Sequence, residues 1–407
     1  MDILMAYEEF IEEIKRDAVY NEILSNQYFI RLRGVKQLGF AYLDWKKATH
    51  TRYAHSVGSA ELAYCISRLI GLPIPKCKIL AYSAALHEVG TPPYSYSITK
   101  EICDAMDFDK VKMAEKVVKK HFSSILKGET GKVVEIISRE KKNEIDDQIV
   151  FGLVGANTLD FLSRDSQNTI PIFSKDLLKT IVGLVVKEHD SLVLEKGYKD
   201  LYYIIHGAKK LMNHNVYFSP KRRIADMMLS EALKYVLENK RSNYILEAFN
   251  STDHFKSLSD NSLLSLLSSA VKGTQYESMM ALLSSDSVFE SLNIPVRILR
   301  AHEEVIDSSD FIHLVTTYIQ KDLQVDKSDF IVDSPLNFVV RFHGEKYEGE
   351  AKFNHTLPPE LLSFADLFSE PAINRKRKKA LRTKTKWMIY YHPKVQETIS
   401  KLYSNDG

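Results

Sequence analysis

Residues 76–88, KCKILAYSAALHE, place apolar side chains on most faces of a helix. A helix without a polar face has to be enclosed by other elements, so this segment predicts a buried helix. It stops at Gly90-Thr91-Pro92-Pro93, a run of breakers. Around it the spacing stays helical. Residues 56–71 carry Val57, Leu62, Ala63, Ile66, Leu69 and Ile70 at helical intervals. Residues 147–165 and 222–239 read as amphipathic helices. Before the second, Ser219 suits an N-cap and Pro220 the first helical position.

Residues 1–245 thus read as a mainly α core. From about 250 the chain turns Ser-rich, yet SLSDNSLLSLLSSAVKG keeps helical apolar spacing, which predicts a helical extension over 246–325. Residues 328–354 change period to short β-branched and aromatic runs, predicting two or three strands. The segment 326–407 therefore reads as a small α/β region. It includes Arg375 to Lys386, RKRKKALRTKTK, followed by Trp387, Tyr390 and Tyr391. His189-Asp190 lies in a polar stretch and reads as a turn. No internal repeat of fixed period is found.

With 407 residues and 44% apolar residues the chain can bury a real core, which excludes wholesale disorder. Its 55 Lys and Arg against 53 Asp and Glu exclude a globally basic nucleic-acid coat protein. The cysteines, Cys65, Cys77 and Cys103, form no CxxC pair and no closed disulfide set. That fits a reducing compartment, and the cytoplasm is the expected location. The start lacks a basic region followed by an apolar run, and no stretch has the length of a membrane span, so neither a secretory signal nor a membrane helix is expected.

Chemistry concentrates in three clusters: His50-Thr51-Arg52-Tyr53-Ala54-His55, then His87-Glu88, then Asn157 to Asp165. Each lies at or near the end of a predicted helix. Histidine and carboxylate side chains from separate helices can converge on one metal ion. Taken singly, a buried histidine is more often a satisfied core residue than a ligand. Arg52, Asp160, Arg164 and Asp165 equally suit salt bridges that tie helices together.

Taken together, the clusters resemble the HD-domain deoxynucleoside triphosphate triphosphohydrolases. The likeness opens at Arg16-Asp17-Ala18-Val19-Tyr20 and continues in RLRGVKQLG at 31–39, HTRYAHSVG at 50–58, ALHEVG at 85–90 and NTLDFLSRD at 157–165. Weaker echoes are His214 to Pro220, similar to a strand-to-helix turn of that family, and Asp260 with Leu263-Leu264. The resemblance implies a helical HD-domain core and assembly as an oligomer. It implies a divalent metal (Mg, Mn, Fe or Zn) on His55, His87, Glu88 and Asn157. It also implies a dNTP-like nucleotide near Gln37, Leu38, Arg52, Phe161 and Asp165, with Arg52 on phosphate and Asp165 on the sugar 3′-hydroxyl.

The sequence departs from the family pattern where the chemistry is hardest. Glu88 replaces one aspartate ligand and keeps its charge. Asn157 replaces the other with a neutral amide, which weakens binding of a hard cation. Thr91, Tyr96 and Ala114 fall where the family has histidines, which leaves Glu115 as a stand-in proton donor. Phe161 replaces a tyrosine and Thr158 a basic residue. These losses favour a degenerate hydrolase that binds a nucleotide, or a regulatory or scaffold subunit with a protein partner, with no metal required in that case. One alternative is an active phosphohydrolase using His55, His87 and Glu88. Another is a nucleic-acid-binding module built on the basic run and its aromatics.

Overall fold

The computed structural model describes residues 3–98, 100–142, 144–198, 200–293, 315–317, 319–321, 323–333 and 388–400. The chain divides into two compact units, Met1–Val271 and Lys272–Gly407. The first unit is built from α1 (Ile3–Lys15), α2 (Ala18–Ser25), α3 (Gln27–Ile30), α4 (Arg52–Leu69), α5 (Ile74–Leu86), α6 (Lys100–Ala105), α7 (Lys110–His121) and α8 (Thr130–Ser138). It continues with α9 (Ile145–Phe151), α10 (Ala156–Asn168), α11 (Lys175–Gly183), α12 (Leu201–Met212), α13 (Pro220–Glu238), α14 (Asn243–Asn250), α15 (Thr252–Phe255) and α16 (Asp260–Ala270).

The apolar segment at 76–88 is α5, whose residues Leu80 to Leu86 are all buried. It packs chiefly against α4, and α4 in turn packs on α10. Asp17 shows how the outer helices are fastened to this pair. Its Oδ1 caps α2 by accepting from Tyr20 N at 2.8 Å and also accepts from the Tyr82 hydroxyl of α5 at 2.6 Å. Lys78 Nζ of α5 lies 2.7 Å from Oδ2. Burial pushes the Asp17 carboxyl up, but Lys78, Tyr82 and the Tyr20 amide outweigh it and hold the group below its usual range. Its stabilisation is therefore complete above about pH 4, the unfolded value, and is lost as pH falls through the lower folded value. We expect Asp17→Asn to cost about 1–2 kcal/mol at pH 7 and to lose less stability than the parent below pH 4. Urea unfolding at pH 7 and pH 3 checks this, and parallel pH profiles would contradict it.

The structure departs from the sequence expectations in four places. The run 147–165 is two helices, α9 and α10, because Gly152 and Gly155 pack against the Gln148 carbonyl where no Cβ fits. Ser219 does precede α13, but its hydroxyl makes no capping bond. The segment ending in Tyr217 is a π-helical turn, Asn213–Tyr217, closing α12, so this joint runs helix to helix rather than strand to helix. His189-Asp190 is a turn, and it joins an unexpected antiparallel hairpin, β1 (Val185–Glu188) and β2 (Ser191–Leu194).

The second unit contains α17 (Glu277–Ser284) and a three-stranded antiparallel sheet of β3 (Glu290–Asn293), β4 (Phe330–Asp333) and β5 (Met388–Tyr391) in the order β3-β5-β4. Val315, Ile319, Val325, Phe330, Val332, Ile389, Tyr391 and Ile399 form its core. Tyr390 and Tyr391 are buried in β5, so neither offers a face for base stacking. Residues 334–354 and the basic run 375–386 with Trp387 lie outside the described residues. Among the described residues no helix is long and apolar enough to cross a membrane.

Candidate metal and phosphate site

Three helix ends of the first unit meet here. Thr51 caps α4 and starts the turn that carries Arg52 and His55. His87 and Glu88 follow the last residue of α5. Asn157 and Asp160 lie in the first turns of α10. Thus the three clusters, up to 115 residues apart in sequence, are brought into direct contact.

His55 Nδ1 lies 2.7 Å from Asp160 Oδ2, and its Nε2 lies 2.9 Å from Asn157 Oδ1. Arg164 binds both Asp160 oxygens, at 2.9 and 2.7 Å. Burial pushes the Asp160 carboxyl up, but the His55 hydrogen bond and Arg164 hold it below its usual value. An ionised Asp160 fixes the proton of His55 on Nδ1 and leaves the Nε2 lone pair facing Asn157. Gly58 belongs to the same packing, because a Cβ there would strike the Asp160 and Arg164 side chains.

His87 is arranged in the same way. Its Nδ1 donates to the Ala84 carbonyl at 2.7 Å, so in the neutral ring the lone pair is on Nε2. That Nε2 is buried, has no hydrogen-bond partner and lies 3.3 Å from Glu88 Oε1. Phe151 meets the ring edge to face at 5.5 Å. Two acceptors held together in a buried place cost free energy unless a proton or a metal cation lies between them. Ligand atoms about 2.1 Å from one ion stand about 3.0–3.4 Å apart at octahedral or tetrahedral angles. The His87–Glu88 separation of 3.3 Å falls within that range, and the His55–Asn157 separation of 2.9 Å lies just below it. Donor atoms of His55, His87 and Glu88 all lie within 4.8 Å of one another. The donor set fits a divalent cation.

Glu88 is also tied to the protein. Arg52 Nη1 donates to its Oε1 at 2.8 Å, and the Thr91 hydroxyl donates to Oε2. Burial pushes its carboxyl up, but Arg52, and after it Lys110, hold it well below the usual carboxylate range. The rest of the Arg52 fork is taken by Ser95 Oγ at 2.9 Å and the Gln37 carbonyl at 3.1 Å. Ser95 reaches Arg52 from a turn in which Tyr94 and Ser95 are both left-handed, with φ of 56° and 58°. The buried Asp260 secures that turn by accepting from Tyr94 N at 2.6 Å and from Lys36 N at 3.0 Å.

The other sequence-selected residues are placed as follows. Gln37 and Leu38 are buried, and Gln37 Oε1 lacks a partner. Both Asp165 oxygens are occupied, by His50 Nε2 at 2.7 Å and the Tyr217 hydroxyl at 2.7 Å. Phe161 is half-buried beneath Lys209, whose Nζ lies 5.8 Å from the ring centroid. Ala114 is fully buried where α7 crosses Gly90. Glu115 pairs with Lys119 at 3.1 Å on the outer side of α7, away from the buried face of Ala114. Tyr96 is 52% exposed and its hydroxyl accepts from Lys110 Nζ at 2.8 Å. Sequence reasoning passed over Asp160 as an orienting group, Tyr217 and Lys110. Tyr217 was signalled by its motif, whereas Lys110 carried no signal in the sequence, since its place depends on how α7 crosses Gly90.

No family model matches the chain. An uncharacterized protein of Methanocaldococcus jannaschii is 30% identical over 234 residues, 56% of this chain and 49% of that protein. A putative HD domain-containing protein of Acanthamoeba polyphaga mimivirus is 22% identical over 317 residues, 69% of each chain. The deoxynucleoside triphosphate triphosphohydrolase SAMHD1 of Danio rerio is 36% identical over 95 residues, 22% of this chain and 14% of that protein. The matches to the first two curated relatives cover 49% and 58% of their lengths, so the chain spans about half of those relatives. Among solved structures, a phosphohydrolase of Bacteroides thetaiotaomicron has a TM-score of 0.62 at 19% identity, covering 78% of this chain and 84% of that one. The fold is mainly helical and is shared with that phosphohydrolase structure, and the sequence likenesses include an HD domain-containing protein and, over a short stretch, a deoxynucleoside triphosphate triphosphohydrolase.

Proposed function

We propose that this HD-domain chain binds a phosphate ester of the nucleotide type against a divalent cation, and that it hydrolyses that ester slowly or not at all. The observation that carries the reading is the unsatisfied, buried His87 Nε2, set by Ala84 to face Glu88 within reach of His55. His55, His87 and Glu88 would hold the cation, with Asn157 adding an amide oxygen. When bound, the cation supplies Lewis-acid charge for a phosphoryl oxygen. Asp160 orients His55, and Gln37, Leu38, Phe161 and Asp165 line the side proposed for sugar and base. Proton transfer to the leaving oxygen is where the chain falls short. Thr91 spends its hydroxyl on Glu88, Ala114 has no proton to give, and Glu115 is paired outward. Such a protein acts through ligand-dependent regulation or scaffolding.

One observation favours a second reading, turnover on the same ligands. The exposed Tyr96 phenol stands with its ring 5.1 Å from the Arg52 guanidinium and is a protic group at the mouth of the site. Incubation with each of the four dNTPs and Mg²⁺ or Mn²⁺ separates the two. We expect nucleotide binding without accumulation of nucleoside and tripolyphosphate. Turnover that disappears in His87→Ala would establish the second reading instead.

A further inference from the structure

The two cations expected to meet a phosphate are not available for it. Position 158 is a buried threonine, and the Arg52 fork is already divided among Glu88, Ser95 and the Gln37 carbonyl. Three of its five N–H groups are spent, one on each nitrogen, and these bonds fix the plane of a side chain that is only 4% exposed, so Arg52 cannot turn toward a ligand without breaking them.

Lys110 is placed to take over that role. It is the first residue of α7, and Ala114 lies four residues later on the same face. The helix crosses so close to Gly90 that a Cβ there would strike the Lys110 carbonyl and the Ala114 backbone. The side chain of Lys110 therefore rises beside the His87-Glu88 turn, one turn before the buried Ala114. Its ammonium donates to the Tyr96 hydroxyl at 2.8 Å and lies 4.7 Å from that ring's centroid. On the other side the Arg52 guanidinium is 5.1 Å from the same ring. Among the described residues the hydrogen-bond partner of Lys110 is thus a neutral phenol, and Glu88, whose charge it feels, is not within ion-pair distance of it. An ammonium has three donors, and one is used here. A half-exposed tyrosine holding a lysine at the mouth of a metal-type site makes a rim with open cationic donors.

We propose that Lys110, held by Tyr96, is the phosphate-binding cation of this chain, in place of Arg52. This rests on reading the site as one that takes a phosphate ester, and it names the residue that would recognise the ester's anionic end. Arg52 is then a positioning residue that keeps Glu88 in place.

The test is calorimetric titration of the full chain with inorganic tripolyphosphate and with dATP, at fixed Mn²⁺. Losing one charge-assisted contact predicts that Lys110→Met binds both probes about ten-fold or more weakly. Lys110→Arg should retain most of the affinity, and Lys116→Met, exposed on the same helix, should match the parent. Tyr96→Phe removes only a half-exposed hydroxyl and should weaken binding a few-fold without lowering the melting temperature. Parent-like binding by Lys110→Met would overturn the proposal while leaving the phosphate-site reading intact. No binding of either probe by the parent chain would overturn both.

Discussion

Asp160→Ala should destabilise the first unit by about 3–5 kcal/mol, the usual cost of removing one partner from a buried ion pair. Asp160 is 5% exposed and serves two groups at once, His55 Nδ1 and the Arg164 fork. Its removal leaves the Arg164 guanidinium with no hydrogen-bonded carboxylate and the buried His55 imidazole with only Ser59 Oγ, at 3.4 Å, beside Nδ1. The melting transition of the unit should fall by at least about 6 °C. His55 also loses the constraint that keeps its Nε2 free, so Mn²⁺ affinity should drop by about 10–100-fold. Arg164→Ala alone should cost less than Asp160→Ala, and adding it to Asp160→Ala should recover part of the loss. A cost under about 1 kcal/mol for Asp160→Ala would show that the pair does not organise the site.

The second large effect is a gain. Asn157→Asp should raise divalent-metal affinity about ten-fold or more, because a carboxylate replaces an amide oxygen 2.9 Å from His55 Nε2. Without metal the same substitution adds an unpaired anion near the ionised Glu88 and Asp160, so the apo protein should melt lower than the parent. The stabilisation on adding Mn²⁺ should accordingly be larger in the variant. Melting curves with and without Mn²⁺, together with calorimetric titration, check both signs. Equal affinity in parent and variant would place Asn157 outside the ion's reach.

The helices that carry the site were legible because their signals are local. The all-apolar 76–88 segment could only be the buried α5, and the Pro-rich stop after it marked the turn where His87 and Glu88 emerge. The same logic failed at 147–165, where apolar spacing runs straight through two glycines whose packing against Gln148 is a tertiary fact. The β1–β2 hairpin was missed because its strands are four residues each, too short for a period to show. Ser219 had the right position for a cap, but position does not determine where a hydroxyl points.

At the site, the sequence indicated which residues should converge but not how they are spent. Arg52 looked like a free phosphate ligand, and Asp165 looked free for a sugar. The fold gives Arg52 to Glu88, Ser95 and Gln37, and Asp165 to His50 and Tyr217. The extra methylene of Glu88 and the hydroxyl of Thr91 were read as separate departures from a pattern. In the structure they are one contact, with the hydroxyl at 91 holding the longer carboxylate. Lys110 was overlooked because its significance depends on the crossing of α7 over Gly90, which no linear spacing reveals.

The proposed function stands on a cation site formed by His55, His87 and Glu88 despite Asn157. The most direct measurement is metal content after purification without chelator, followed by Mn²⁺ titration of the parent chain and of His87→Ala. We expect one bound divalent ion per parent chain and none in His87→Ala, with both proteins folded. A parent chain that takes up no ion, or a His87→Ala chain that binds it as well, would contradict the claim.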